Sequence, residues 1–227
     1  MKTKPLILIS ILILSHGWLA AQQAERPLRF MIHAQPCMTW LHADETHLTA
    51  GPVRVGFDGG MRLDYSFDRF YAFSFGADWN LTGGSLLFQD TLFLDRITKF
   101  DTLAPQTRLT YHLQYVDIPF SVKFKTPQIG YTTLFTEVGL DPMINIRALI
   151  DAADNNISKE PFQQGVGPFN LGYHLGAGMI YSFGNGMGLQ IQVIYKNTFL
   201  DVTKENDIRL PDNTRINQAG LSIGLIF

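Results

Sequence analysis

Residues 169–183 read Phe169-Asn-Leu-Gly-Tyr-His-Leu-Gly-Ala-Gly-Met-Ile-Tyr-Ser-Phe183. Every second position (Phe169, Leu171, Tyr173, Leu175, Ala177, Met179, Tyr181, Phe183) is apolar. Between them stand Asn170, Gly172, His174, Gly176, Gly178 and Ser182, with Ile180 the single large apolar residue of that set. A period of two belongs to a strand, whose successive side chains leave opposite faces. Glycine inside a helix would also cost about 1 kcal/mol per residue relative to alanine. The stretch therefore reads as one long strand with an apolar face and a small, polar face.

The same reading extends in both directions. Downstream, Leu189, Ile191, Val193, Tyr195 and Phe199 oppose Gln190, Gln192, Lys196 and Thr198; Ala219, Leu221, Ile223, Leu225 and Phe227 oppose Gln218, Gly220, Ser222 and Gly224. Upstream, Val53, Val55, Phe57, Met61, Leu63 and Tyr65 oppose Arg54, Gly56, Asp58, Gly60, Arg62 and Asp64. Tyr71, Phe73, Phe75, Ala77, Trp79 and Leu81 oppose Ala72, Ser74, Gly76, Asp78 and Asn80, and Leu28, Phe30, Ile32, Ala34, Met38 and Trp40 oppose Arg29, His33, Gln35 and Thr39. Two further strands are less regular. Tyr111, Leu113 and Tyr115 have one parity, but Val116, Ile118, Phe120, Val122 and Phe124 have the other. A bulge at Tyr115–Val116 is expected to restore one apolar face and to house Pro119, which has no N–H for a ladder. Residues 131–145 place Thr132, Leu134, Thr136, Val138 and Leu140 opposite Phe135, Glu137 and Asp141. The count reaches eight.

The connections alternate. Residues 66–69, 126–130 and 184–188 are short turns, whereas 42–52, 85–108, 147–168 and 201–214 are longer, polar loops. Outer-membrane barrels alternate short periplasmic turns with longer external loops in this way. The expected fold is thus all-β: an eight-stranded antiparallel up-and-down transmembrane β-barrel in the cell outer membrane. Residues 1–21 read as a signal peptide, with Lys2 and Lys4, an apolar run over 6–14, and Ala20-Ala21 before Gln22. That run is shorter than the roughly 20 residues a helix needs to span a bilayer. No comparable run follows, so 22–227 is left as the barrel domain.

Composition agrees. In 227 residues, 46% are hydrophobic and 17% charged, which excludes a disordered chain. A net charge of −2 gives no electrostatic footprint for nucleic acid. The lone Cys37 excludes an intramolecular disulfide framework.

Alternation does not say whether the apolar face points into a core or out into lipid. The polar face mixes long charged residues with glycine and serine, a combination that fills a narrow eight-stranded lumen. Aromatic residues gather near the strand ends: Trp40, Trp79, Tyr111 and Phe169 toward the long loops, and Tyr65, Phe67, Tyr71, Phe124, Tyr181 and Phe227 toward the short turns. Two girdles of this kind sit at membrane interfaces. The apolar face is therefore read as lipid-facing.

The lumen would then hold a charge network of Arg54, Asp58, Arg62, Asp64, Asp78, Lys123, Glu137 and Lys196, with Asp117 in reach. Charges in so narrow a space are expected to pair, because an unpaired one costs several kcal/mol. His42, Asp44, Glu45 and His47 in the first long loop match no metal-ligand spacing, and Asp201, Glu205, Asp207 and Asp212 lack the glycine and spacing of a calcium loop. No metal and no cofactor are expected. The run 184–188 (Gly-Asn-Gly-Met-Gly) reads as a hairpin turn and not as a phosphate cradle, and the glycosylation triplet at Asn156 as chance. His33, His112 and His174 carry the inward parity, and no Gly-x-Ser-x-Gly motif occurs, so no nucleophile–base pair can be argued and no enzyme is expected.

Three stretches resemble the PorT-type outer-membrane β-barrel family of Bacteroidetes: Tyr115-Val-Asp-Ile-Pro-Phe-Ser-Val-Lys-Phe-Lys125, Gly172-Tyr-His-Leu-Gly-Ala-Gly178 and the closing residues 216–227. The resemblance implies an outer-membrane barrel and, for some members, an accessory role in assembling secretion or gliding systems. It carries no functional residues onto this chain. The expected role is structural or interactive. The barrel contacts outer-membrane lipid, and its long loops contact another envelope protein or a glycan. A small pore or transport component is the alternative, and a membrane-embedded lipid-modifying enzyme comes third.

Overall fold

Alternation over long runs produces long strands, and in the computed structural model these close into a ring. The structure describes residues 27–43, 48–88, 92–93, 102–103, 106–152, 157–203 and 214–227. The segment read as a signal peptide lies outside them. Eight staves run as β1 (Leu28–Ala43), β2 (Arg54–Ser66), β3 (Tyr71–Phe88), β4 (two segments, Arg108–Asp117 and Phe120–Lys125), β5 (Thr132–Ala152), β6 (Phe169–Gly184), β7 (Met187–Thr198) and β8 (Thr214–Ile226). Each pairs antiparallel with the next, and β1 pairs with β8, so the sheet has no free edge at mid-barrel. Closure satisfies the backbone groups that hydrocarbon cannot.

Through most of the barrel the polar parity points inward and the apolar parity outward. On β2, Asp58, Arg62 and Asp64 are buried while Phe57, Met61 and Tyr65 are exposed. At the short-turn end the exposed rings touch one another: Phe67 lies 4.7 Å from Phe73, Tyr71 5.8 Å from Phe124, and Tyr131 6.0 Å from Tyr181.

Toward the long loops this pattern inverts. β2 leaves β3 above the Phe57–Leu81 pair, and the top of β3 pairs instead with a short strand, Leu48–Ala50. The top of β5 pairs with Ile157–Pro161, so five strands form a raised wall over one side of the mouth. Within it Leu86, Leu109, Tyr111, Leu113, Ile150 and Ala152 point inward and are buried, together with Leu41, Phe162, Val166, Val202 and Ile216. Arg108, Thr110, His112, Gln114, Arg147 and Asp151 take the outward parity.

Two expectations change here. The register of β3 against β4 is unbroken from Arg108 to Asp117, so no bulge occurs at Tyr115–Val116. The parity switch in the sequence marks a change of solvent. Above Tyr115 the outside is water and apolar residues turn in; below it the outside is lipid and Val116, Ile118, Phe120 and Val122 turn out. The register shift lies across the wall on β5, between the Gln114–Arg147 and Tyr115–Asn145 pairs. Pro119 sits in the gap between the two segments of β4, where its carbonyl accepts from Gly76 N at 3.2 Å. Tyr111, expected in the outer girdle, is 1% exposed and belongs to the inner apolar cluster. The regions 85–108 and 147–168, expected as loops throughout, contain the raised ends of β3 and β5.

Candidate functional site

The inward parity of β1 to β8 gathers polar side chains along the lumen. Six carboxylates (Asp58, Asp64, Asp78, Asp117, Glu137, Asp141) meet Arg62, Lys123, Lys196 and the imidazoles of His33 and His174, all of them buried. Arg62 forks, donating from Nη2 to Asp78 Oδ2 at 3.0 Å and from Nη1 to Glu137 Oε1 at 3.2 Å. Glu137 also accepts from Gln192 Nε2 at 2.9 Å and from Ser121 Oγ. His174 lies between acids, with Nδ1 2.8 Å from Asp141 and Nε2 3.4 Å from Glu137. His33 Nε2 stands 2.9 Å from Asp78 Oδ1.

Nearer the long loops, Lys196 Nζ donates to Asp58 at 2.5 Å and reaches Asp117 at 3.4 Å. Asn80 donates to Asp117 at 2.8 Å and accepts from Gln218 at 2.8 Å. Nearer the short turns, Lys123 Nζ donates to Asp64 at 2.7 Å and Gln190 at 3.3 Å, and lies 5.5 Å from the centre of the Phe135 ring. Charge-assisted bonds between strands this far apart in sequence cross-brace the barrel. The cost of burying each charge is offset only because partners are so close.

Seven of the eight expected network residues thus meet inside the barrel. Arg54 does not, and the expectation for it is corrected. Beyond the last β2–β3 pair the wall has parted, and its guanidinium reaches β4, with Nη1 3.3 Å from Tyr111 O and Nη2 3.1 Å from His112 Nδ1. His112, also expected inward, has the outward parity of the raised wall and holds Asp151 Oδ2 at 2.6 Å from Nε2. Three charged or titratable members of the lumen network, His33, Asp141 and His174, are read from the sequence as inward-facing but are not assigned to that network. Their signal was present, since each occupies the polar parity of its strand.

His33, Asp58 and Asp78 bring possible metal-ligand atoms within 4.8 Å of one another. Lys196 and Arg62 already supply positive charge to those two carboxylates. In the first long loop Asp44, Glu45 and His47 lie outside the described residues, as do Glu205, Asp207 and Asp212. Asp201 is described, and its Oδ1 accepts from Thr203 N at 2.9 Å and Thr214 N at 3.0 Å, closing a turn.

Among the described residues, a cluster of buried apolar side chains lies toward each end of the lumen. The inner face of the raised wall and Phe162 form the cluster at the long-loop end. Met31, Phe135, Ile180 and Ile226 form a second cluster at the other.

A family model described as an outer membrane protein beta-barrel domain matches residues 21–179. Among solved structures, Neisserial surface protein A is 13% identical, with 86% of this chain and 95% of that one covered at a TM-score of 0.46. Ail, the attachment invasion locus protein of Yersinia pestis, is 12% identical, covering 88% and 98% at 0.40. OprG from Pseudomonas aeruginosa is 11% identical, covering 89% and 97% at 0.39. These similarities carry no argument about activity. No curated protein matches.

Proposed function

This chain belongs to the outer membrane protein beta-barrel domain family, and from that premise we propose that it acts through its external rim as a structural or interaction protein of the outer membrane. The observation that carries this reading is the lumen filled by paired side chains. Charge pairs fill its middle, and buried apolar clusters lie toward both ends. An eight-stranded lumen filled by side chains offers no wide aqueous path. Among the described residues, what faces the exterior is the raised wall, a surface suited to another envelope protein or a glycan. The resemblance to PorT-type barrels supports an accessory role in assembling a secretion system.

A non-enzymatic reading is supported by His112. Among the described residues, His112 pairs with Asp151 on the outer face, but its second nitrogen meets the Arg54 guanidinium instead of a hydroxyl. A general base needs that nitrogen for its nucleophile.

Purified protein in planar bilayers should show no stable conductance. Reproducible porin-sized openings would replace this reading with the pore alternative. In cells, photo-crosslinkers at Arg108 and Lys159 should give discrete adducts with an envelope protein or glycan, and a crosslinker at Gln128 on a short turn should not give the same species.

A further inference from the structure

The six buried carboxylates of the lumen face three buried permanent cations, Arg62, Lys123 and Lys196. Among the described residues an excess of negative charge therefore remains even if His33 and His174 are both protonated. Buried charge left uncompensated is costly, and proteins meet such a cost with a partner or a metal ion. Possible ligand atoms converge in the layer shared by β1, β2 and β3. His33, Gly60 and Asp78 occupy one rung of the ladder, and Gln35 stands opposite Asp58 two residues along. The side chains of His33, Gln35, Asp58 and Asp78 all take the inward parity and are buried. Gly60 lets the first pair meet, since a β-carbon there would stand 2.5 Å from Asp78 Oδ1.

Each carboxylate divides its two oxygens between tasks. Lys196 holds Asp58 by Oδ2, and Arg62 holds Asp78 by Oδ2. Asp58 Oδ1 has no hydrogen-bond partner among the described residues, and Asp78 Oδ1 meets His33 Nε2 alone, at 2.9 Å. Gln35 is 1% exposed, yet neither atom of its side-chain amide has a partner there either. One ligand atom from each of His33, Asp58 and Asp78 lies within 4.8 Å of the other two.

We propose that this layer binds one divalent transition-metal ion of the zinc class, held by His33, Asp58 Oδ1 and Asp78 Oδ1, with the Gln35 carbonyl oxygen as fourth donor. An imidazole beside carboxylates suits zinc, whereas calcium and magnesium take oxygen ligands. Ligand bonds of about 2.0–2.1 Å at tetrahedral angles set neighbouring donors roughly 3.3 Å apart. His33 and Asp78 must therefore part slightly from 2.9 Å, and Asp58 must draw in. The ion offsets the excess charge of the lumen. Lys196 and Arg62 stay on the Oδ2 atoms and orient the ligands from outside. The ion ties three consecutive strands together at mid-barrel.

The test uses the full mature barrel, stripped with EDTA in urea and refolded into detergent with or without zinc chloride, so that entry to the closed lumen is not limiting. After a chelator wash, elemental analysis should find one zinc per folded barrel. Zinc should also raise the temperature of the heat-dependent gel shift saturably, and calcium and magnesium should not. His33→Gln should weaken zinc retention roughly tenfold or more, since even outer partners of a metal site are worth that much. Gln35→Leu, which removes an amide without partners, should weaken it less while keeping the folded mobility. His112→Gln, on the outer wall, should leave it unchanged. No zinc in the washed wild type would mean that protons and water alone satisfy the lumen, and the proposal fails. It fails equally if His33→Gln retains zinc as the wild type does, if His112→Gln loses it, or if calcium stabilises as well as zinc. Should His33→Gln not fold, unchanged zinc affinity in both Gln35→Leu and Asp58→Asn overturns the assignment.

Discussion

Glu137 shows at the level of one residue how the lumen is held. Its two oxygens accept from Arg62, Gln192 and Ser121, and the His174 ring approaches at 3.4 Å. Replacing Glu137 with Ala would leave the buried Arg62 with Asp78 alone, and removing one partner of a buried pair costs about 3–5 kcal/mol. Urea unfolding in lipid vesicles should show a loss of that order. The pair Arg62→Leu and Glu137→Leu should be non-additive, with a coupling of about 0.5–3 kcal/mol. Additive losses would mean that the two side chains do not share a network. Most of this was legible in advance, because parity alone places Asp58, Arg62, Asp64, Asp78, Lys123, Glu137 and Lys196 on one face. Which acid meets which base was not legible, since stagger around the closed ring sets the height of each strand. Arg54 was misplaced because parity says nothing once a strand leaves its neighbour.

On the scale of a strand, β4 is the informative case, because its sequence contains the membrane boundary. Period-two reading assumes that one face is apolar along a whole strand. That holds only where the outside solvent is constant. Tyr111, Leu113 and Tyr115 obey the rule of a water-soluble sheet, and Val116, Ile118, Phe120 and Val122 obey that of a lipid-facing one. A bulge was the reading that kept a single rule. The structure keeps the register and changes the environment. Leu113 is 1% exposed, so Leu113→Ala should cost about 2–5 kcal/mol through a cavity that its neighbours cannot fill. Leu140 of β5 is 50% exposed on the outer face, and lipid can fill the space that Leu140→Ala leaves. The second variant should be the milder by denaturant unfolding in vesicles. Equal losses would mean that Leu113 faces lipid after all.

For the molecule as a whole, the decisive feature is the inversion of inside and outside across the middle of the barrel. Lys123, Glu137 and Asp58 are buried there, while Val193, Ile223 and Leu225 are each 46–65% exposed. A water-soluble barrel requires the opposite arrangement. Hydrocarbon supplies the missing half of the packing, which is why folding should depend on it. Ile223 lies beside Ala34 and Ile191 at the centre of the outward set of β8, between Ala219 and Phe227. Near the bilayer midplane, Ile223→Arg should cost about 2–4 kcal/mol. Ser222→Ala, one residue away, should cost far less, since that side chain points into the lumen. The Arg variant alone does not separate the two architectures, because a soluble barrel with an apolar core would also reject it. Folding without amphiphile does separate them. Wild-type chain diluted from urea into plain buffer should aggregate or stay unfolded, and the same chain diluted into detergent should acquire the heat-dependent gel shift of a closed barrel. A monodisperse, folded monomer in plain buffer would require Ile223 and its outward neighbours to be packed in a core, and the assignment of that face to lipid would fail.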